Sequence, residues 1–570
     1  MIQRSATTFG NQPVTFTPRR HLHQTISEAK SSATDDIIKV KGWVKSFRQH
    51  KNVGFLDVND GSCTTPLQVV ISEELINTPE LTFGSCVEIS GKMSKSSGKE
   101  QKTELMASHV TVLGSARLSD NPLQPKRHSM EFLRTIPHLR PRTNFFSSMF
   151  RIRSTVSLSV HNFFAQRGFH CVHTPLITSN DSEGGAEVFH VGSRPSDKAA
   201  AEHFFGRQAY LTVSGQLEAE VMAASLGRVY TFGPTFRAEK NSHTTRHLAE
   251  FWMVEPEMSF ADLNDVMELS EEFVKTLILD VKEKCAEDLA FFAKWQDQTL
   301  MSTIDNVLNG PFQRISYTQA MDILTLAHPK EKFEAKPAYG NDLSREHEKY
   351  LCEGHFNKPV FVFDWPRKIK PFYMKVNEDG ETVACVDLLL PRVGELIGGS
   401  AREDDVQTLL ESMRRNGVKE DELAWYVDLR KYGSSPHAGF GLGFERFLMF
   451  ITGTQNIRDT IAMPRYPAKC VRRIISRRSG SAETSRLSSS TDLIQLLQIS
   501  EFNRRLRAED LCYLMRVPYH SGIHSTRSRL RSNSVEEEEP CQRFHFLAQT
   551  ISEDIGNASS SEEEEKVLET

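Results

Sequence analysis

The chain lacks paired-cysteine spacing, a phosphate-cradling Walker loop and any long apolar run. Each absence removes a class of protein. Its nine cysteines are scattered with no CxxC, which argues for reduced thiols and against both a zinc ribbon and a disulfide framework. No GxxxxGK[ST] segment occurs, so the P-loop nucleotide enzymes are excluded. No apolar stretch approaches the length of about 20 residues that a membrane-spanning helix requires. Acidic residues are also missing locally: the first 27 residues contain no Asp or Glu but carry Arg4, Arg19 and Arg20 among several Ser and Thr. That is the composition of a mitochondrial transit peptide, and it makes the mitochondrial matrix the expected location, with the cytoplasm as the alternative.

What is present reads as a multidomain globular chain. At 570 residues, 39% hydrophobic and 25% charged, several domains of ordinary soluble composition are expected. Residues 1–35 are read as the leader. Residues 36–118 alternate in short strand-like runs (Ile37–Val44, Val53–Val58, Leu67–Ile71, Cys86–Gly91, Glu104–Val112). Five strands in so short a span predict an OB-fold barrel, a fold that takes single-stranded nucleic acid by stacking and polar contacts. Residues 119–140, with their prolines and arginines, are read as a hinge. Residues 141–467 form the large domain. From Ala468 to Thr570 the composition shifts to basic serine runs such as Ser525–Ser532 and acidic runs at Glu536–Glu539 and Glu562–Glu565. This tail is expected to be mostly disordered.

Two segments of the large domain carry the chemistry. Val229–Glu239 reads as a strand ending in FRAE, with Arg237 and Glu239 on one face by the two-residue period. A polar turn, Lys240–His247, leads into a second strand at Ala249–Glu257 and contributes Arg246 and His247. An arginine fork suits phosphate oxygens. Alone, Arg237 and Glu239 are as well explained by a surface ion pair. The second segment, GFGLGFER at Gly439–Arg446, alters that balance. Gly439, Gly441 and Gly443 leave one strand face as bare backbone, against which a flat ring can lie. Arg446 then falls in the first turn of the following helix, where the dipole favours phosphate.

With Arg167-Gly168-Phe169 and Thr174-Pro175-Leu176-Ile177 upstream, these segments resemble the three signature motifs of the class II aminoacyl-tRNA synthetases, in order, and of their aspartyl/asparaginyl/lysyl subgroup. The implied fold is α+β: an N-terminal OB-fold barrel, then an antiparallel sheet flanked by helices. The resemblance implies ATP as substrate, with Arg237 on the α-phosphate and the substrate carboxylate, Glu239 on the adenine amino group, Phe251 and Arg446 about the adenine, Arg446 on the γ-phosphate, and Arg246 and His247 on the outer phosphates. Arg237 and Arg446 are the expected catalytic residues. Asp387 and Glu395 match the carboxylates that hold Mg²⁺ on the phosphates. In the barrel, Phe55 and Gln68 match the anticodon-reading positions, with tRNA-Asn as partner. The family's first motif implies a homodimer, and apolar Val156, Leu158, Val160, Phe163 and Phe164 on one helix are expected to supply part of its interface. Lys92–Ser96 spells KMSKS, a signature of the other synthetase class, but no HxGH segment accompanies it. A basic loop between barrel strands explains it better.

The segment 208–260 is similar to the asparaginyl members. Where aspartyl relatives have a lysine three residues after a glutamine, here Gln216, this chain has Ala219. A neutral amide substrate needs no ammonium, and an unpaired buried one is costly. Glu220 matches the carboxylate that accepts from the substrate amide and repels an aspartate side chain. Arg402 matches the arginine on the side-chain oxygen, and Glu187 the acid near the α-amine, on a loop with Gly184 and Gly185. Asparagine is therefore the expected amino acid. A non-discriminating aspartyl enzyme and a non-catalytic tRNA-binding paralogue are the competing readings. Ala219 opposes the first. The joint presence of Arg237, Glu239, Asp387, Glu395 and Arg446 opposes the second.

Overall fold

The computed structural model describes residues 24–31, 36–96, 101, 103–179, 187–192, 204–239 and 244–467. Most of the residues read as a leader, Gly184 and Gly185 of the expected substrate loop, and the whole tail from Ala468 lie outside the described residues.

Strong alternation in the first segment closes a barrel. Its strands are β1 (Ile37–Gln49), β2 (Val53–Asn59), β3 (Leu67–Ser72), β4 (Cys86–Lys95) and β5 (Thr103–Gly114), in the order β1-β2-β3-β5-β4. Val40, Leu56, Val58, Leu67, Val69, Ile89 and Leu105 alternate inward and are buried. Phe55 belongs to the opposite face of β2, so it is not part of the barrel core. KMSKS is not a loop: Lys92–Lys95 is the end of β4 and pairs with β5 from Met106 to Thr103.

The span 1–35, read as transit peptide or disordered, includes an ordered helix. Ile26–Ser31 forms a helix whose Ile26 and Ala29 are fully buried against the barrel. The Ile26 N–H donates to Asp60 Oδ2 at 2.8 Å, and Lys30 Nζ donates to the Thr65 carbonyl at 2.6 Å. Two apolar residues one turn apart are too brief a stripe for periodicity to register.

The large domain is built on an eight-stranded sheet. Its strands join three more that form a small separate sheet: β6 (His170–Cys171), β7 (Ile177–Thr178), β8 (His190–Val191), β9 (Ala209–Leu211), β10 (Arg228–Phe236), β11 (Glu250–Ser259), β12 (Gln313–Ser316), β13 (Val360–Pro366), β14 (Thr382–Leu390), β15 (Gly394–Ala401) and β16 (His437–Gly443). The large sheet runs β12-β13-β14-β15-β16-β11-β10-β6, and β7-β9-β8 is the small one. The six central strands are antiparallel, while β12 beside β13 and β6 beside β10 are parallel. One face of the large sheet is covered by the helices Asn144–Gln166 and Leu263–Lys284, which form the main core with Phe440, Leu442 and Phe444. The opposite face carries glycines and charged side chains.

Two expectations change here. Val156, Val160, Phe163 and Phe164 all pack into this core, and of the five apolar residues offered to a partner only Leu158 faces outward, at 63% exposure. A helix wedged between a sheet and a second helix needs a broad apolar face of its own, so the excess was only apparent. The end of the hinge is also a core position. Arg140 is fully buried, with its guanidinium 4.2 Å over the Phe146 ring. Its NH2 donates to the carbonyls of Arg458 (2.9 Å), Ile461 and Ala462 (3.1 Å), and Arg134 joins it on Asp459.

Arg140→Met should therefore leave three carbonyls and part of a buried carboxylate without their donor. Breaking a buried charged pair of this kind costs about 3–5 kcal/mol. The thermal unfolding midpoint of the full chain should fall by several degrees, measured by calorimetry. An unchanged midpoint would mean that water replaces the arginine without loss.

Candidate active site

The period-two rule places Thr235, Phe251, Met253, Glu255, Glu257, Gly439, Gly441, Gly443, Gly398, Ser400 and Asp387 on the face away from the main core. β10 ends at Phe236, so Arg237 and Glu239 sit just beyond the strand rather than within its alternation. Much of the bare glycine face is already occupied from within. A β-carbon at Gly439 would stand 2.3 Å from the Glu257 carboxylate, and one at Gly441 would stand 2.5 Å from the Met253 methyl. These glycines make room for side chains of the neighbouring strand. At Gly443 the nearest atoms to such a carbon belong to the Arg446 side chain, at 3.7–3.8 Å, so this end of the strand is less crowded.

The expected phosphate residues gather at that open end. The Arg237 guanidinium lies 5.7 Å over the Phe251 ring. The Glu187 carbonyl accepts from the Ala238 N–H at 2.7 Å, which ties Glu187 to the Arg237 segment. Arg446 NH1 donates to the Glu395 carbonyl at 2.7 Å and faces Glu395 Oε2 at 3.3 Å. Arg246 donates to the Val393 carbonyl and pairs with Glu348 at 3.5 Å. His247 is half-buried beside Thr244; burial first, then the charges of Arg446, Arg246 and Arg237, holds its pKa below the ordinary imidazole value despite Glu239. Glu348 went unnoticed in the sequence. Burial, aided by the Glu395 charge, pushes its carboxyl up to about 7.

Asp387 and Glu395, on neighbouring strands, converge over a glycine. A β-carbon at Gly398 would stand 3.6 Å from Asp387 Oδ1 and 3.4 Å from Glu395 Oε1. Two hard carboxylate oxygens about a bare backbone fit a cation that keeps several waters and takes phosphate oxygens, as Mg²⁺ does. Among the described residues no group of three His, Cys, Asp or Glu side chains could form an all-protein metal cage. Lys370, also missed, donates to Asp387 Oδ2 at 2.9 Å. Burial pushes the Asp387 carboxyl up to about 6, with Lys370 pulling against it and Glu395 adding to it.

The other end of the face is sealed. Glu220, on the helix Gln216–Leu226, is 1% exposed and encircled. Gln216 Nε2 donates to Oε1 at 3.0 Å, Tyr426 Oη reaches both oxygens at 3.0 and 2.8 Å, Arg430 NH2 donates to Oε2 at 2.8 Å, and His437 Nε2 lies 3.0 Å from Oε2. A carboxylate has about four acceptor sites, and these are taken. The expected role of Glu220 as direct acceptor from a substrate amide thus needs one donor to move, and Gln216, the uncharged amide, is the one held least strongly. Burial alone would push the Glu220 carboxyl up, but Arg430, His437 and Arg402 together hold it well below the ordinary carboxylate range. Arg402 is 2% exposed, and it spends its Nε and NH2 on Glu257 and its NH1 on Ser400 Oγ at 2.7 Å. Two of its five N–H groups remain for a ligand.

Ala219 does not share this pocket. It is buried in an apolar cluster with Val172, Ala223 and Val229, so its small size serves helix packing. Tyr426, Arg430, His437 and Glu257 were not singled out in the sequence. Glu255, which accepts from Ser214 Oγ and from the Gly215 N–H at 3.0 Å, was missed as well. In the barrel, Phe55 and Gln68 share the outward face of β2 and β3 with Asp57. Phe55 stands edge-on to His50 with ring centroids 5.8 Å apart, and Gln68 accepts from Gln101.

Comparison with known proteins bears on the family and the fold. Residues 129–467 match the family described as tRNA synthetases class II (D, K and N), and residues 38–113 match the OB-fold nucleic acid binding domain. The chain belongs to that class II synthetase family. It is 51% identical over 455 residues to asparagine–tRNA ligase from Oleidesulfovibrio alaskensis, covering 78% of this chain and 98% of the relative. The Synechocystis sp. asparagine–tRNA ligase is 48% identical over 454 residues, at the same coverage of both chains. The crystal structure of asparaginyl-tRNA synthetase from Pyrococcus horikoshii complexed with asparaginyl-adenylate superposes with a TM-score of 0.70 at 31% identity, covering 78% of this chain and 99% of that one. Within class II, this chain belongs to the asparagine–tRNA ligase family.

Tyr426→Phe removes one donor from the buried Glu220 carboxylate while keeping the ring. The loss of a hydrogen bond to a charged group is worth about 2 kcal/mol, roughly thirty-fold. That loss should appear mainly as a raised KM for the amino acid in pyrophosphate exchange, with the KM for ATP little changed. Equal effects on both substrates would show that the network supports the fold without tuning the pocket.

Proposed function

We propose that the chain ligates asparagine to tRNA-Asn in two steps, through an enzyme-bound asparaginyl-adenylate. The observation that carries the reading is the pairing of Glu220 with Arg402 at the sealed end of a site whose open end is lined by Arg237, Arg246 and Arg446. An aspartate side chain would bring a second negative charge beside an ionised, water-excluded carboxylate, whereas an amide brings none. Arg402 donates to the amide oxygen with its two remaining N–H groups. Gln216 is then free to turn from Glu220 toward the substrate.

In the first step the substrate carboxylate attacks the α-phosphorus of ATP. A new C–O–P bond forms, the bond to the β-phosphate oxygen breaks, and pyrophosphate leaves. Arg237 neutralises the charge gathering on the α-phosphate, and Arg446 holds the outer phosphates, exchanging its present hold on Glu395 for theirs. Most of the acceleration comes from such positioning and charge neutralisation. Asp387 and Glu395 would hold Mg²⁺, which when bound supplies further positive charge on the phosphates. In the second step the terminal ribose hydroxyl of tRNA attacks the adenylate carbonyl and AMP leaves. The barrel face with Phe55 and Gln68 reads the anticodon, the ring by stacking and the amide by hydrogen bonding.

Two further readings concern the setting of the enzyme. The acid-free start supports import into mitochondria, with cleavage upstream of the Ile26–Ser31 helix, since that helix belongs to the barrel. A tagged full-length chain found only in the cytosol would exclude this. Exposed Leu158, Leu176, Ile177, Met222 and Leu226 in the part of the chain that resembles the family's dimer motif and its neighbouring helix support a homodimer. Sedimentation of a fully active monomer would exclude it.

Aminoacylation with labelled asparagine and aspartate, on tRNA-Asn and tRNA-Asp in parallel, tests the reaction directly. Only asparagine on tRNA-Asn should be charged efficiently. Arg237→Ala and Arg446→Ala should each lower pyrophosphate exchange by about 10²–10³, because each removes a preorganised charge from the transition state. Exchange near the wild-type rate in either variant would show that its arginine is not a phosphate clamp.

A further inference from the structure

Lys370 has no part in the motifs and none in the reaction derived above. It follows the short 3₁₀ turn Arg367–Ile369 after β13, and its side chain is only 13% exposed. Its ammonium lies 2.9 Å from Asp387 Oδ2 and 3.8 Å over the Trp365 ring. Asp387 is comparably enclosed, at 14%. The other carboxylate oxygen, Oδ1, points with Glu395 Oε1 toward the bare backbone of Gly398. The remaining oxygen of Glu395, Oε2, faces Arg446 at 3.3 Å. Each carboxylate is thus divided. One oxygen looks into the open space over the glycine, and the other is held by a resident cation. The formal charges of Asp387, Glu395, Lys370 and Arg446 sum to zero.

We propose that Lys370 makes divalent-metal binding conditional on nucleotide. The Asp387–Glu395 pair refuses a free divalent cation and accepts one only when phosphate oxygens arrive with it. The proposal rests on the reading that these two carboxylates hold the metal. Two oxygens in a neutral cluster offer little to an ion that gives up its waters reluctantly and is held by one or two carboxylates together with phosphate oxygens. A fixed ammonium on the far side of one ligand opposes the added double charge at short range, in surroundings where screening is weak. A polyphosphate supplies both missing parts. It brings additional hard oxygens and several negative charges, and it gives Arg446 a partner other than Glu395. Lys370 has no such exit: it is packed on Trp365 and stays with Asp387, leaving Oδ1 as the single oxygen this residue offers. The metal then enters with ATP, and the empty site is not silted by a cation in the wrong place.

The test uses Mn²⁺ as the probe and the purified full-length chain without nucleotide, with free Mn²⁺ read by electron paramagnetic resonance. The wild-type protein should bind Mn²⁺ weakly. Lys370→Met should bind one Mn²⁺ per chain at least about ten-fold more tightly, and adding Asp387→Asn should abolish the gain. Lys370→Gln provides the same neutralisation with a polar side chain, should the methionine variant not fold. Lys370→Arg, which keeps the charge, should bind Mn²⁺ as weakly as wild type. Unchanged Mn²⁺ affinity in the neutral variants, or tight binding by the wild type without nucleotide, overturns the proposal. Pyrophosphate exchange by Asp387→Asn separates the two levels: a normal rate removes the metal reading itself, whereas a dead enzyme together with unchanged Mn²⁺ affinity in Lys370→Met removes only the role of Lys370.

Discussion

Two carboxylates and two guanidiniums, Glu220, Glu257, Arg402 and Arg430, are shut away from water side by side, each no more than 5% exposed. An isolated ion in such a place is intolerable, and the four persist only because each faces an opposite charge and further hydrogen bonds. The surrounding architecture meets that demand. Gly439 is bare so that Glu257 fits beneath β16, and the β15–β16 register sets Ser400, which binds Arg402, opposite that same glycine. The helix Ala424–Lys431 brings Tyr426 and Arg430 on successive turns to the same carboxylate. On the reading proposed above, the amino acid would meet a charge network fixed on all sides but that of Gln216, and against such a network a difference of one amide against one acid becomes large.

The opposite end of the same face follows another logic. Its cations are neither sealed nor idle. Arg246 and Arg446 retain 13% and 23% exposure and are held provisionally by Glu348 and Glu395. Such pairs hold the arginines at the open end, and on the proposed reading incoming phosphates would take them over while Glu348 and Glu395 keep access to water or metal. One sheet thereby carries a sealed end, paired on all sides, and an open end whose ion pairs reach solvent.

The sequence showed the barrel strands clearly, because Val40, Leu56, Val69 and Ile89 alternate without interruption. The hairpin of β10 and β11 and the glycine strand were equally plain. The resemblance pointed to Glu220 and Arg402, which the fold brings together. It could not point to their partners: Tyr426, Arg430 and His437 lie 206, 210 and 217 residues downstream of Glu220, and nothing in their local sequence ties them to it. Ala219 was read as a pocket residue because aspartyl relatives carry a lysine there, yet adjacent helical positions face different ways and Ala219 packs into an apolar cluster while Glu220 enters the polar one. The apolar helix was misjudged in a similar manner. Composition counts Val156 and Phe164 alike with Leu158, and only packing separates them. The glycines at 439 and 441 were correctly seen as bare, but the sequence does not reveal that Glu257 and Met253 fill the space.

Arg140 binds carbonyls that lie 318, 321 and 322 residues further along the chain. The start of the large domain is therefore stapled to its end. On a translating ribosome, that arginine emerges long before any of its acceptors exist. At about 5–20 residues per second, roughly 15–65 s pass before the closing segment is made. Until then neither Asp459 nor those carbonyls are there to fix the Arg140 guanidinium over the Phe146 ring, and for most of the interval the sheet lacks its glycine strand and the helix after it. Unlike the barrel, which is complete once β5 has been synthesised, the large domain cannot set its core in stages from the N-terminus. It must hold a half-built, sticky sheet in waiting, and that is the period in which a nascent chain of this kind depends most on chaperones.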